Sequence, residues 1–179
     1  MSYGAGKFNQ GLNLSAGGYL NVPSSAASPG TLLKTNGTFT VDFWVYRTGT
    51  PGASTAVGFD EMSPSTTVNY WSFGLSSSNK ATLYWWPGAG HWLAGTTTIP
   101  ANAWTHLALS VKNGVAQIYV NGVLDASGTI STPGGSMPVT FGGASGNAFP
   151  GMIDDLRVTP GVARFTANFT PPPSTFANN

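Results

Sequence analysis

The chain has 179 residues, 7% of them charged, with seven Lys and Arg against six Asp and Glu, a net charge of +1 and no cysteine. No cationic excess is available for counterion release, which argues against nucleic-acid binding, and the ten Phe, six Trp and six Tyr are incompatible with a disordered chain. Thiol nucleophiles, disulfides and Cys-ligated zinc are excluded, and no apolar run approaches the ~18 residues of a membrane span.

The N-terminal MSYGAGKFNQG lacks the apolar stretch of a secretory signal, so synthesis in the cytoplasm is expected. A surface this poor in charge is built from Ser, Thr, Asn and Gly. Its weak self-repulsion fits a protein held in an assembly and fits compositional drift equally well.

Taken in order, strands are expected at 11–15 and 18–23. Then FTVDFWVYRT turns Phe39, Val41, Phe43 and Val45 one way and Thr40, Asp42, Trp44 and Tyr46 the other, the alternation of a β-strand. In YWSFGLSS, Trp71, Phe73 and Leu75 share a face, and KATLYWW sets Leu83 and Trp85 against Tyr84 and Trp86. The segment from Thr105 to Gly128 contains Asn113-Gly114 and Asn121-Gly122, and Asn-Gly suits the positive φ angles of a type I′ turn. A three-strand meander over 104–112, 115–120 and 123–128 follows, with Leu107, Leu109, Val111, Ile118 and Val120 facing the core. Strands at 138–143 and 151–159 complete the set, and Pro160 is placed to open one helical turn near Gly161–Arg164. In TPPPSTFANN three prolines remove three ladder donors, so residues 171–179 form a tail that crosses the surface or projects as an arm from a single domain, 1–170. About ten short strands with regular turns predict an all-β fold, a two-sheet antiparallel β-sandwich of jelly-roll type.

These segments resemble the concanavalin A-like lectin/glucanase superfamily, and within it the laminin-G-like jelly rolls. The similar stretches are FNQGLNLSAGGYLNVP, FTVDFWVYRT, AWTHLALSVKNGVAQIYVNGVLDASG and FGGASGNAFPGMIDDLRVTPGVARFTANFTPPP, and together they span about residues 8 to 173. The last is similar to segments of tailed-bacteriophage structural proteins. The resemblance implies carbohydrate binding, protein docking or both, glycan hydrolysis in some relatives, and a calcium ion in many.

Hydrolysis of a glycosidic bond generally needs two carboxyl groups flanking it. Glucanases of the superfamily present theirs on a Glu-x-Asp-x-Glu strand, and this chain has one glutamate, Glu61. Asp42 would have to converge in space with Asp60 or Glu61. Asp154 and Asp155, adjacent on a strand, are expected on opposite faces, with Asp155 and Arg157 two apart and able to pair. Asp42, set among apolar neighbours, is expected to be buried and hydrogen-bonded. No Gly-x-Ser-x-Gly elbow is present, and no enzymatic activity is expected. Calcium favours several oxygen ligands, carboxylates among them, and its only candidate ligands are Asp60 and Glu61, on an expected loop; otherwise no cofactor is expected.

The segment YWWPGAGHW holds three of the six Trp around a Pro-Gly turn. Sugar C–H faces stack on exposed aromatic rings, and Tyr84, Trp86, His91 and Trp92 could form such a surface. They could equally pack in the core or serve a protein contact, and Trp44 and Tyr46 pose the same choice. Trp104, opening the meander, is expected to be structural. The expected role is a non-enzymatic accessory protein of a bacteriophage virion, a capsid decoration or tail component exposed on the particle. Its expected partners are other virion proteins, further copies in a homo-oligomer, and cell-surface glycan; the alternative is a carbohydrate-binding host-adhesion module.

Overall fold

The computed structural model describes residues 2–15, 19–22, 37–52, 56–61, 70–86, 89–130, 139–142 and 149–176, with the backbone alone described at 21, 22, 56–61, 70, 86, 139 and 140. Thirteen strands are present among them and no helix. They are β1 (Ser2–Ala5), β2 (Gln10–Asn13), β3 (Leu20–Val22), β4 (Phe39–Arg47), β5 (Ala56–Glu61), β6 (Tyr70–Leu75), β7 (Lys80–Trp86), β8 (His91–Thr98), β9 (Trp104–Lys112), β10 (Val115–Val120), β11 (Val123–Thr129), β12 (Val139–Phe141) and β13 (Gly151–Pro160). Two antiparallel sheets face each other, one ordered β1-β2-β13-β4-β9-β10-β11 and the other β3-β12-β5-β6-β7-β8.

The core follows from strand alternation. Phe39, Val41, Phe43 and Val45 of β4, with Leu107, Leu109 and Val111 of β9 and Ile118 and Val120 of β10, meet Trp71, Phe73, Leu75, Leu83 and Trp85 of the opposite sheet. Phe43 and Phe73 pack edge to face across the gap at 5.8 Å, and Phe39 meets Trp71 at 5.3 Å. The meander falls where the two Asn-Gly pairs place it, with φ of 50° and 77° at Asn113-Gly114 and 49° and 78° at Asn121-Gly122. On one side the sandwich is closed by Asp125 of β11, whose Oδ1 accepts hydrogen bonds from Thr96 Oγ1, Thr97 N and Thr97 Oγ1 of β8 at 2.9, 3.0 and 2.7 Å.

Pro160 opens no helical turn. Gly161 turns at φ +72° with its N–H donating to Thr38 O at 2.9 Å. Thr40 Oγ1 then donates to Val162 O (2.8 Å) and accepts from Arg164 N (2.9 Å). A buried strand hydroxyl thus takes up the backbone groups that a helix would have used, and the chain continues extended. From there to residue 176 it lies on the outer face of the seven-stranded sheet. Phe165 and Phe169 stack at 3.7 Å, Phe169 meets Tyr119 and His106 by ring edges, and Phe169 N donates to Gly122 O at 2.8 Å.

Gly122 therefore serves both a turn and a docked segment, because a Cβ there would strike the Phe169 carbonyl. Gly161 has a similar φ but open space around it. Gly161→Ala is expected to cost only the left-handed strain, about 1–2 kcal/mol, and Gly122→Ala measurably more. Urea denaturation of the two variants side by side checks the difference.

Candidate functional site

Strand alternation and register assemble one exposed aromatic site. On β7, Ala81, Leu83 and Trp85 enter the core, so Thr82 and Tyr84 face outward. β8 pairs antiparallel with it, setting Trp92 opposite Tyr84 and Ala94 opposite Thr82. The Trp92 and Tyr84 rings lie 4.1 Å apart. Tyr84 is buried beneath Trp92, which stays 50% exposed. Small residues, Thr82 and Ala94, form the floor beyond, and the β6–β7 turn Ser76–Ser78 closes the far end of a shallow trough of about 310 Å³. The turn is held in place: Asn79, at φ +57°, donates its N–H to Ser76 O (2.8 Å) and accepts from Ile99 N (2.8 Å). No charged side chain lines the trough. It offers a rigid indole face at one end and serine hydroxyls at the other.

The other expected site residues lie elsewhere. His91 is not beside Trp92 in the trough; adjacent residues of a strand alternate, and its ring stacks on Trp85 at 5.3 Å instead. The Trp86 side chain lies outside the described residues. Trp44 is buried on the other sheet, with Phe8 edge-on at 5.9 Å and Lys7 Nζ 4.4 Å from its ring centre, so it offers no face to a ligand. Tyr46 is half-buried against Trp104 at 5.4 Å. Ser76, Ser77, Ser78, Thr82 and Ala94 were missed. A Ser-Ser-Ser-Asn turn leading into a strand whose outward positions are Thr82 and Tyr84 was the available signal.

Asp42 lies beside Trp44 on the outer face of the seven-stranded sheet. It is fully buried and accepts Arg157 Nε and Nη2 at 3.0 and 2.8 Å. His106 Nε2 is 3.4 Å away, aligned too poorly for a hydrogen bond. Phe176 covers the guanidinium at 3.7 Å. The expected Asp155–Arg157 pair is therefore replaced by Asp42–Arg157. Asp42 sits in the opposite sheet from β5 and is committed to arginine, so it forms no catalytic pair with Asp60 or Glu61. Those two residues end β5 rather than sitting on a loop; the strand is interrupted by a register shift between Val57 and Phe59, where Gly58 reads as a break. Their side chains lie outside the described residues. Among the described residues no group of three His, Asp or Glu could hold a metal ion.

Asp154 and Asp155 also depart from expectation. β13 bulges between Asp154 and Arg157, with Asp155 at φ +47°, so strict alternation fails and both carboxylates line one cleft. Burial pushes the Asp155 carboxyl above the usual range, the Phe176 N–H draws it down, and the Asp154 charge raises it further. A raised folded-state value stabilises the fold on the acid side and loses that contribution as pH rises from the ordinary aspartate value of about 4 through the raised one. Asp155→Asn keeps an acceptor for Phe176 and tolerates positive φ. It is expected to flatten the decline in thermal stability from mildly acidic to neutral pH; an unchanged pH profile by circular dichroism would contradict this.

A family model described as the concanavalin A-like lectin/glucanases superfamily matches residues 15–163. Comparison with curated protein sequences gives no match. Among solved structures, domain 4 of AbnA, an extracellular arabinanase of Geobacillus stearothermophilus in complex with arabinotriose, is similar at TM-score 0.70 and 25% identity, over 90% of this chain and 76% of that one. A sialidase carbohydrate-binding module of Ruminococcus gnavus bound to sialyllactose is similar at TM-score 0.62 and 14% identity, over 80% and 90%. Mouse laminin α1 domains LG4-5 are similar at TM-score 0.62 and 14% identity, over 88% and 42%.

Proposed function

The chain belongs to the concanavalin A-like lectin/glucanases superfamily, and from that membership we propose that it is a non-catalytic glycan-binding module whose site is the trough between Trp92 and Ser76–Ser78. The observation that carries this is Trp92 itself. A half-exposed indole braced from below by a buried tyrosine costs little entropy to hold in place, and its apolar face suits a sugar ring. The adjoining hydroxyls can donate to and accept from sugar hydroxyls. With no charged residue in its lining, the trough suits a neutral saccharide and offers nothing to a sialic-acid carboxylate. The similar arabinanase domain is in complex with a neutral sugar, arabinotriose, which supports the choice. No carboxylate lines the trough, so binding without cleavage is the reading.

The setting proposed for this module is the surface of a bacteriophage particle, made in the host cytoplasm and assembled beside capsid or tail proteins. The support is the likeness of residues 151–173 to segments of phage structural chains. A glycan array tests the first proposal: neutral oligosaccharides should bind and their sialylated forms should gain nothing, whereas silence across the array, or reducing ends released in solution, would overturn it. Mass spectrometry of purified particles tests the second, and absence of the chain would end it.

A further inference from the structure

We propose a second, separate site on the open side of the sandwich that takes an alkylammonium group, its aliphatic arm in an apolar cleft and its cation against Asp154 and Asp155. At the β8–β11 side Asp125 ties the sheets together. At the opposite side the sheets end in β1 and β3, and a cleft of about 210 Å³ opens between them, walled by Leu20, Phe141, Ile153 and Leu156. That space equals about seven waters at ~30 Å³ each, room for a short alkyl chain. Tyr3, 72% exposed, stands at this cleft and offers a ring face that attracts cations.

The bulge supplies the charge. An unbroken strand would send adjacent carboxylates to opposite faces; the positive φ of Asp155 brings both into this one wall. Bulges next to functional sites re-aim side chains in this way. The carboxylates do hold the chain ends: Asp154 accepts Phe8 N and Asp155 N at 2.8 and 2.7 Å, and Asp155 accepts Phe176 N at 3.0 and 3.1 Å. Every one of those donors is an uncharged backbone N–H. Among the described residues neither carboxylate has an ion-pair partner, because Arg157 is committed to Asp42. Two acids without a paired cation beside an apolar cleft call for a ligand that is cationic at one end and aliphatic behind it. A lysine side chain of a partner protein and a free polyamine share that chemistry.

The test is backbone amide NMR of the full chain titrated with hexylammonium chloride, with hexan-1-ol as the uncharged control. Saturable shifts are expected at Leu12 and Ile153–Leu156, about tenfold weaker binding for the alcohol, and a similar loss in Asp154→Asn, the scale of one charge-assisted hydrogen bond. Leu20→Ala, at a half-exposed position, should weaken both probes and serves if Asp154→Asn fails to fold. Spermidine and an acetyl-Gly-Lys-Gly-amide peptide then separate the two sources, the tighter binder naming the source. Absence of saturable shifts, equal binding of the alcohol, or indifference to Asp154→Asn would overturn the proposal.

Discussion

Arg157→Leu is expected to lower folding stability by about 3–5 kcal/mol, because it strands a buried charge. Asp42 has no exposed surface, and its two oxygens are served by Arg157 through a parallel pair of hydrogen bonds. His106, at 3.4 Å and misaligned, is no replacement. Asp42→Leu should cost less, since Arg157 is 24% exposed along its side chain and water can reach part of the orphaned guanidinium. The double variant Asp42→Leu/Arg157→Leu should recover much of the Arg157→Leu loss, as apolar replacements of buried pairs often do. Urea melts of the four proteins form a double-mutant cycle. A double variant that loses the sum of the two single costs would mean that the pair is uncoupled.

Trp92→Ala is expected to raise the dissociation constant for a neutral oligosaccharide about thirtyfold, the ~2 kcal/mol of an aromatic contact hot spot. Stability should barely move, because half of the ring already faces water and its removal leaves no enclosed cavity. Tyr84→Ala should behave differently. It removes the buried support beneath Trp92 and so lowers both stability and affinity. Isothermal titration with the array's best ligand, paired with thermal melts, checks both. Equal affinity of wild type and Trp92→Ala would place the sugar elsewhere or nowhere.

The two Asn-Gly pairs located the β9–β11 meander because a type I′ turn makes a local demand on φ that few other dipeptides meet. Core faces were equally legible, since period-two alternation maps directly onto the two sides of a strand. β1 and β5 were not foreseen. One holds two residues with little strand preference, Gly4 and Ala5, and the other is interrupted at Gly58. The candidate site was legible in part: Tyr84 and Trp92 do meet, whereas His91, one residue along, turns to the other face, and Trp44 is roofed by residues far off in sequence.

Composition, turn chemistry and alternation by themselves determined an all-β sandwich, its meander, its core faces, the burial of Asp42 and the want of clustered acids. All are properties of short windows, in which neighbouring residues constrain one another. Which outward-facing side chains stay wet was decided only by tertiary structure. Trp44 and Trp92 look alike in alternation, yet one is covered by Lys7 and Phe8 and the other stands at the wall of a trough. Likewise the partner of Arg157, the shared cleft of Asp154 and Asp155, and the docking of residues 161–176 depend on a bulge and on contacts between segments more than a hundred residues apart. Local periodicity carries no information about such distances.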